Sequence, residues 1–207
     1  MSSAIDICNL ALSHLGDTAT VSSIDPPEGS AQAEHCARFF PIARDALLET
    51  HNWNFATRRV QLALLSSEST AWDFAYAFPA DAMTIMDIFP PDFSDDTSTA
   101  GLLVPQPYCV ELASDGARVI YSDQEDAIAR YSAFVTDTSR FPPLFVMALS
   151  YSLAALLAGP LIKGDVGAAE AKRCAALAKA YQGLAVESDA GQRSISVDHR
   201  VSWLANR

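Results

Sequence analysis

The stretch in which the reactive side chains crowd together is His51-Asn52-Trp53-Asn54-Phe55-Ala56-Thr57-Arg58-Arg59. It joins two bulky aromatics to two cations at the end of a long apolar-periodic segment, and nothing in it supplies a nucleophile with its base. The chemistry available is burial and attachment: aromatic rings to anchor a corner, guanidinium groups to emerge beyond it. Trp53 and Phe55 alternate, so an extended backbone would send both rings to one side, with Arg58 and Arg59 just past them.

Carboxylates are the other chemistry to weigh, because glycoside hydrolysis needs only two acids about 5 to 9.5 Å apart. Glu28 with Glu34 near a helix start, and Asp45 with Glu49 one turn apart, are the pairs at hand. Neither is distinctive, since charged residues on a solvated helix face are the ordinary case. The histidines His14, His35, His51 and His199 fall on different elements, and Cys8, Cys36, Cys109 and Cys174 lack the paired spacing of a zinc or redox site. Three of those cysteines occupy apolar helical positions and read as small core residues. No Gly-rich phosphate loop, HExxH or GxSxG occurs. The expectation is a chain without catalytic residues, cofactor or metal.

The elements that must position the His51–Arg59 stretch are legible from period and capping. Ser3 caps a helix over Ala4 to Leu15, with Asp6 at its positive end and Gly16 to close it. Ile5, Cys8, Leu12 and Leu15 form its expected stripe. After a Pro/Gly/Ser-rich connector, Ser30 starts a second helix in which Ala33, Cys36, Phe40, Ala43 and Leu47 make a seam. Pro41 lies inside it, which predicts a kink rather than two helices.

From about Ala71 to Thr136 the period changes. Asp115-Gly116 favours a two-residue type I′ turn, which would place Leu112 opposite Val119 and Val110 opposite Tyr121, with Glu111 and Arg118 on the other face. Met83 to Ile88 and Ala127 to Val135 read as further strands of one small antiparallel sheet, with a polar loop from Pro90 to Gly101 between strands.

Leu144 to Leu161 is nearly all apolar, but Ser150-Tyr151-Ser152 interrupts it and Gly159-Pro160 ends it short of the ~20 residues a bilayer needs. A central buried helix is expected, not a membrane span. A last helix starts near Asp165, with Ala171, Cys174, Ala178, Tyr181 and Ala185 as its seam. Residues 187–207 lack periodicity and end in Val201-Ser202-Trp203-Leu204. The expected fold is α+β, mainly α: a four-helix bundle (1–70 and 137–186) with an inserted small antiparallel β lobe (71–136) and an extended C-terminal arm (187–207).

Charge narrows the function further. The 207 residues carry a formal net charge of −11, which disfavours binding to a phosphate backbone and suits a surface that repels nucleic acid, such as a conduit wall. Met1-Ser2-Ser3 leads straight into an amphipathic pattern without a basic or apolar leader, so synthesis in the cytoplasm is expected.

Ile7-Cys8-Asn9-Leu10-Ala11-Leu12 with Leu15-Gly16, then Ala33 with Cys36, Arg44-Asp45, Trp53-Asn54-Phe55-Ala56 and Leu62 occur in an order that resembles the head-to-tail adaptor (connector) family of tailed phages, the relatives of tail tubular protein A. The resemblance runs on through Phe78-Pro79-Ala80-Asp81, Arg130-Tyr131 and Leu149 to Leu157. It implies a structural virion protein at the head–tail interface, made in the host cytoplasm. Such proteins form a ring, usually a 12-mer, docked under the portal protein with the tail or nozzle protein below and DNA passing through without sequence-specific contact. Within it Trp53, Phe55, Arg58 and Arg59 are structural or interface candidates, and Trp203 and Leu204 of the arm would reach the portal or a neighbour. Asn52 stands where many adaptors have a proline, so the local turn differs from theirs. Some related adaptors are credited with cell-wall hydrolysis, and the alternatives are therefore an adaptor with peptidoglycan-hydrolase activity or a non-viral soluble interaction domain.

Overall fold

Helix α1, Ala4–His14, starts on a reciprocal cap: Asp6 N donates to the Ser3 hydroxyl (3.1 Å) and Ser3 N donates to the Asp6 carboxylate (2.8 Å). Two donors that any helix start leaves open are thereby satisfied. Its buried residues are Ile7, Cys8, Ala11 and Leu12, a stripe rotated from the expected one, because Ile5 and Leu15 stay half-buried. The structure, a computed structural model, describes residues 2–66, 71–91 and 105–192.

Helix α2, Ala31–Glu49, begins where Ala33 N donates to the Ser30 hydroxyl (3.2 Å) and continues through Pro41 as one element. Its seam is buried as the spacing requires: Ala33, Cys36, Phe40, Ala43 and Leu47, joined by Leu48. Helix α3, Pro143–Ile162, has proline in its first turn, where the missing N–H costs nothing. By length and composition alone α3 is long and apolar enough to cross a membrane, and half of its most apolar window is buried inside the protein. Phe145, Leu149, Leu153 and Leu157 are completely enclosed, each such burial stabilising by roughly 1.5–3 kcal/mol. Helix α4, Gly164–Ala190, folds back along α3 after Lys163 alone, and this pair has the most extensive packing in the chain. Close approach is possible because residue 167 is glycine, where a Cβ would lie 3.0 Å from the Ala158 carbonyl oxygen.

Seven strands are described: β1 (Thr57–Gln61), β2 (Leu64–Leu65), β3 (Phe74–Ala77), β4 (Ala82–Phe89), β5 (Tyr108–Leu112), β6 (Arg118–Ser122) and β7 (Ile128–Ala133). They form two antiparallel sheets, β1-β7-β4 and β2-β3-β6-β5. Tyr76 and Ile120 from the four-stranded sheet share one apolar cluster with Ile85, Ile88, Ala129 and Tyr131 from the three-stranded sheet.

This arrangement overturns the expected fold class. A mainly helical four-helix bundle with a small lobe gives way to four helices accompanied by two antiparallel sheets. The helices do not share one bundle seam either: α1 and α2 both pack on α3 and barely touch each other. The missed strands explain the error, because β1 reads Thr-Arg-Arg-Val-Gln, mostly exposed, and β2 and β3 are too short to show a period.

The chain divides into a helical unit, residues 2–55 with Val135–Gln192, and a sheet unit, Ala56–Phe134. The first strands thus precede residue 71, and α4 carries helix through residues 187–190, where an arm was expected. The remainder of that arm, 193–207 with Trp203 and Leu204, lies outside the described residues, as does most of the polar loop after Pro91.

The β5–β6 hairpin corrects a second expectation. Leu112 pairs with Arg118, Glu111 with Val119 and Val110 with Ile120, one residue out of the predicted register. The turn has three residues rather than two: Gly116 N donates to Ala113 O (2.9 Å), and Ala117 N donates to the Asp115 carboxylate (2.9 Å) while Ala113 and Ala117 close the pair. Gly116 takes φ +83°, the left-handed position such loops reserve for glycine. A one-residue slip moves every side chain to the other face, so Val110 and Ile120 face the shared cluster and Val119 and Tyr121 the opposite side.

Candidate functional site

In the helical unit, Trp53 is a core residue with 1 % of its surface exposed. Its indole N–H donates to Leu47 O (3.1 Å), a carbonyl near the end of α2 that also accepts from the Thr50 hydroxyl (2.7 Å) and N–H (3.4 Å). Phe145 of α3 meets the Trp53 ring edge-on with centroids 5.0 Å apart, and His51 does so from another side at 4.9 Å. Phe55 joins them through Phe145 (5.1 Å) and Phe141 (5.8 Å). The two aromatics do reach one cluster, but by a 3-10 turn over Asn54–Ala56 rather than an extended segment.

Asn54, between them, is tied to the far end of α4. Its backbone N–H donates to both oxygens of Asp189 (3.2 and 3.0 Å), and its side-chain amide donates to Asp189 Oδ2 (3.0 Å) and Asp189 O (2.7 Å). His51 Nε2 stands 3.5 Å from Asp189 Oδ2. Asp189 is only 3 % exposed. Beside it opens a pocket of about 240 Å³ lined by Trp53, Pro142, Pro143, Phe145, Ser188 and Gln192 among others. Sequence reasoning missed both Asn54 and Asp189. A signal for Asp189 existed, because Cys174, Ala178 and Ala185 continue by four residues to that position, putting an acid on a buried seam.

In the sheet unit, Arg58 and Arg59 are neighbours on β1 and therefore point to opposite faces. Arg58 pairs with Asp81, whose other oxygen accepts from the Tyr131 hydroxyl (2.9 Å). Burial, followed by the Asp81 bond, pushes the Tyr131 phenol up from its ordinary value, against the pull of Arg58. Both members of the Arg58–Asp81 pair are well exposed, so it contributes at most about 1 kcal/mol. Arg59 stands opposite Arg130 in register, and Arg130 pairs with Asp87 with its guanidinium 5.6 Å from the Phe89 ring centre. The structure therefore splits the sequence candidates: Trp53 and Phe55 belong to one aromatic cluster, Arg58 to an ion pair with Asp81, and Arg59 to the opposite face of β1.

Of the carboxylates weighed from the sequence, Glu28 and Asp45 have partners of their own. Glu28 accepts from Ser22 and from the Ser30 hydroxyl (3.0 Å), bonds that lower its carboxyl from the ordinary range. Asp45 binds the Arg44 guanidinium (2.7 Å). Cys8, Cys36 and Cys174 are completely buried, and the Cys36 thiol together with burial pushes the Cys8 thiol up. Among the described residues no group of three His, Cys, Asp or Glu side chains could hold a metal ion.

His14 packs flat on Tyr151, with centroids 3.8 Å apart, and Tyr151 in turn on Tyr181 (5.3 Å). Ser150 donates its single hydroxyl proton to Met147 O (2.9 Å), so His14 Nε2, 3.1 Å away, is the donor to Ser150. Burial, and then the Arg173 charge, lower the His14 pKa. Compared with models of known families and with curated proteins, the chain matches none.

Proposed function

We propose that this chain is a structural, non-catalytic subunit of a tailed-phage virion: a head-to-tail adaptor that assembles as a ring, twelve copies by analogy with the family it resembles, between portal and tail around the DNA path. The observation that carries this reading is the placement of the Trp53-Asn54-Phe55-Ala56 run, the core of the resemblance. It holds α2 to α3 and to the end of α4 just where the chain passes from the helical unit to the sheet unit. A segment so anchored within the helical unit suits a part whose task is to attach to neighbours rather than to break bonds. Large apolar side chains on the outside of the helical unit, Ile42 (56 % exposed), Val166 (67 %) and Leu184 (49 %), offer surface for a ring contact to bury. The net charge of −11 favours free passage of DNA over adhesion.

The experiment is to image the purified chain in negative stain, alone and mixed with portal protein, and to measure particle mass. A ring in either sample, stacked on the portal in the second, is the expected result. A chain that stays monomeric or dimeric at every concentration and ignores the portal overturns the proposal. Removing residues 201–207 is expected to abolish head-to-tail joining.

A further inference from the structure

We propose that the free edge of β5 accepts residues 194–199 from the C-terminal arm of a second copy as an added antiparallel strand. β5 ends its sheet, with β6 on one side and no strand on the other among the described residues. The hairpin fixes where its backbone groups point. Ala113 N donates to Ala117 O (2.8 Å), so Glu111 and Cys109 also turn theirs to β6, whereas Leu112, Val110 and Tyr108 turn theirs outward. Just before the strand, Gln106 N donates outward to Ile88 O of β4 (2.9 Å), and that pairing goes no further. Beyond it β4 is served by side chains: the Tyr108 hydroxyl donates to Ile85 O (2.9 Å) and Arg118 to Met83 O (3.4 Å). The outward groups of β5 have no such cover among the described residues. Free edges are ordinarily guarded by lysine, proline or a bulge. β5 has none of these, and it ends in Leu112, which is 72 % exposed. By contrast β1 carries two arginines, and β2 is only two residues long.

The occupant is argued from the chain itself. Fifteen residues, 193–207, follow the described structure in the sequence, a reach of about 50 Å when extended. Although this arm has no sustained period, Ser194-Ile195-Ser196-Val197 alternates small polar with β-branched residues, the composition of a short strand. The arm also holds three arginines against one aspartate, in a chain of net charge −11. Antiparallel pairing with Ile195 opposite Leu112 and Val197 opposite Val110 covers the exposed leucine and continues the face on which Val110 packs. It sets Ser196 opposite Glu111 and brings Arg193 opposite Ser114, next to Asp115. Sliding Val197 to Leu112 would instead set Asp198 against Glu111, a like-charge pair. The contact needs only a second copy, so it stands or falls separately from the adaptor reading, within which it would link ring neighbours head to tail.

The test follows amide hydrogen exchange in the full chain at about 10 µM and about 1 mM. Exchange at Val110 and Leu112 should slow at least about tenfold at the higher concentration, while Glu111, already paired with β6, stays unchanged. Two variants complete it. Leu112→Pro removes an outward N–H at an exposed edge position, and Ile195→Pro disables the arm. Each variant alone should remain monomeric in sedimentation, whereas an equimolar mixture forms a one-to-one pair, because one keeps the arm and the other keeps the edge. Exchange independent of concentration, a mixture that does not pair, or undiminished association of either variant overturns the proposal. Protection at both concentrations that Ile195→Pro abolishes would place the arm on its own chain, and overturns the second-copy assignment. Rings of Leu112→Pro on portal protein would refute this contact and leave the adaptor reading standing. Pairing of the two variants, with no wild-type ring on the portal, would do the reverse.

Discussion

Asn54 and Asp189 stand 135 positions apart in the sequence, yet the amide of one donates to both the side chain and the backbone carbonyl of the other. The end of α4 is thereby bound to the turn that follows α2. Asn54→Ala removes one donor from a buried carboxylate and one from the Asp189 backbone carbonyl, and should destabilise the helical unit by about 1.5–3 kcal/mol, the range for hydrogen bonds to charged groups. Urea denaturation followed by circular dichroism measures it, and a loss below about 0.5 kcal/mol would mean that water serves Asp189 equally well.

Trp53→Ala empties the site enclosed by Leu47, His51 and Phe145 and should cost about 3–5 kcal/mol. Trp53→Phe keeps most of the volume and removes the indole donor to the Leu47 carbonyl, which still accepts from the Thr50 hydroxyl, so its cost should be clearly smaller. Equal melting temperatures for Trp53→Ala and the wild-type chain would reject the role of Trp53 as the plug of that corner.

His14 links stability to pH. Its folded-state pKa lies below the ordinary 6.5, so below that value the unfolded chain binds the proton that the folded chain resists. The contribution of His14 is complete above pH 6.5 and is lost as pH falls through and beneath it. Denaturation midpoints at about pH 7.5 and 5.5 should therefore diverge more for the wild-type chain than for His14→Gln. A wild-type chain whose midpoint is the same at both values would contradict the assignment.

Gly116→Ala must hold alanine at φ +83°, with no steric contact within 4 Å to add to the cost. The strain is conformational, about 1–2 kcal/mol, and Gly116→Asn should recover part of it because asparagine tolerates the left-handed region. Comparing the three denaturation curves checks the turn. If alanine is neutral, residue 116 does not hold the left-handed conformation in the folded hairpin.

Gly167 is governed by packing instead. A methyl group there meets the Ala158 carbonyl oxygen at 3.0 Å, so Gly167→Leu should force α3 and α4 apart and lower the melting temperature, despite leucine's better helix propensity. An unchanged or raised melting temperature would show that the hairpin can widen without loss.

The helices were legible because their signals are local. Ser3 with Asp6 and Ser30 with Ala33 are caps formed within three residues, and the α2 seam recurs at a spacing that only helix geometry produces. The sheets were less so. Arg59 pairs with Arg130 and Tyr76 with Ile120, partners separated by dozens of residues. A short polar strand such as β1 has no periodicity to announce it. The candidate site divided along the same line: Trp53 and Phe55 were conspicuous by type, while Asp189 looked like any acid near a chain end.

By itself the sequence settled where helices begin, which residues must be buried along α2, and that the aromatics after His51 belong in a core. Only the tertiary structure decided that two sheets exist, that the β5–β6 turn takes three residues, and that Asp189 is enclosed. Caps and periods depend on neighbours a few residues away, whereas strand pairing and the surroundings of a buried charge depend on which distant segments are driven together by the burial of apolar surface.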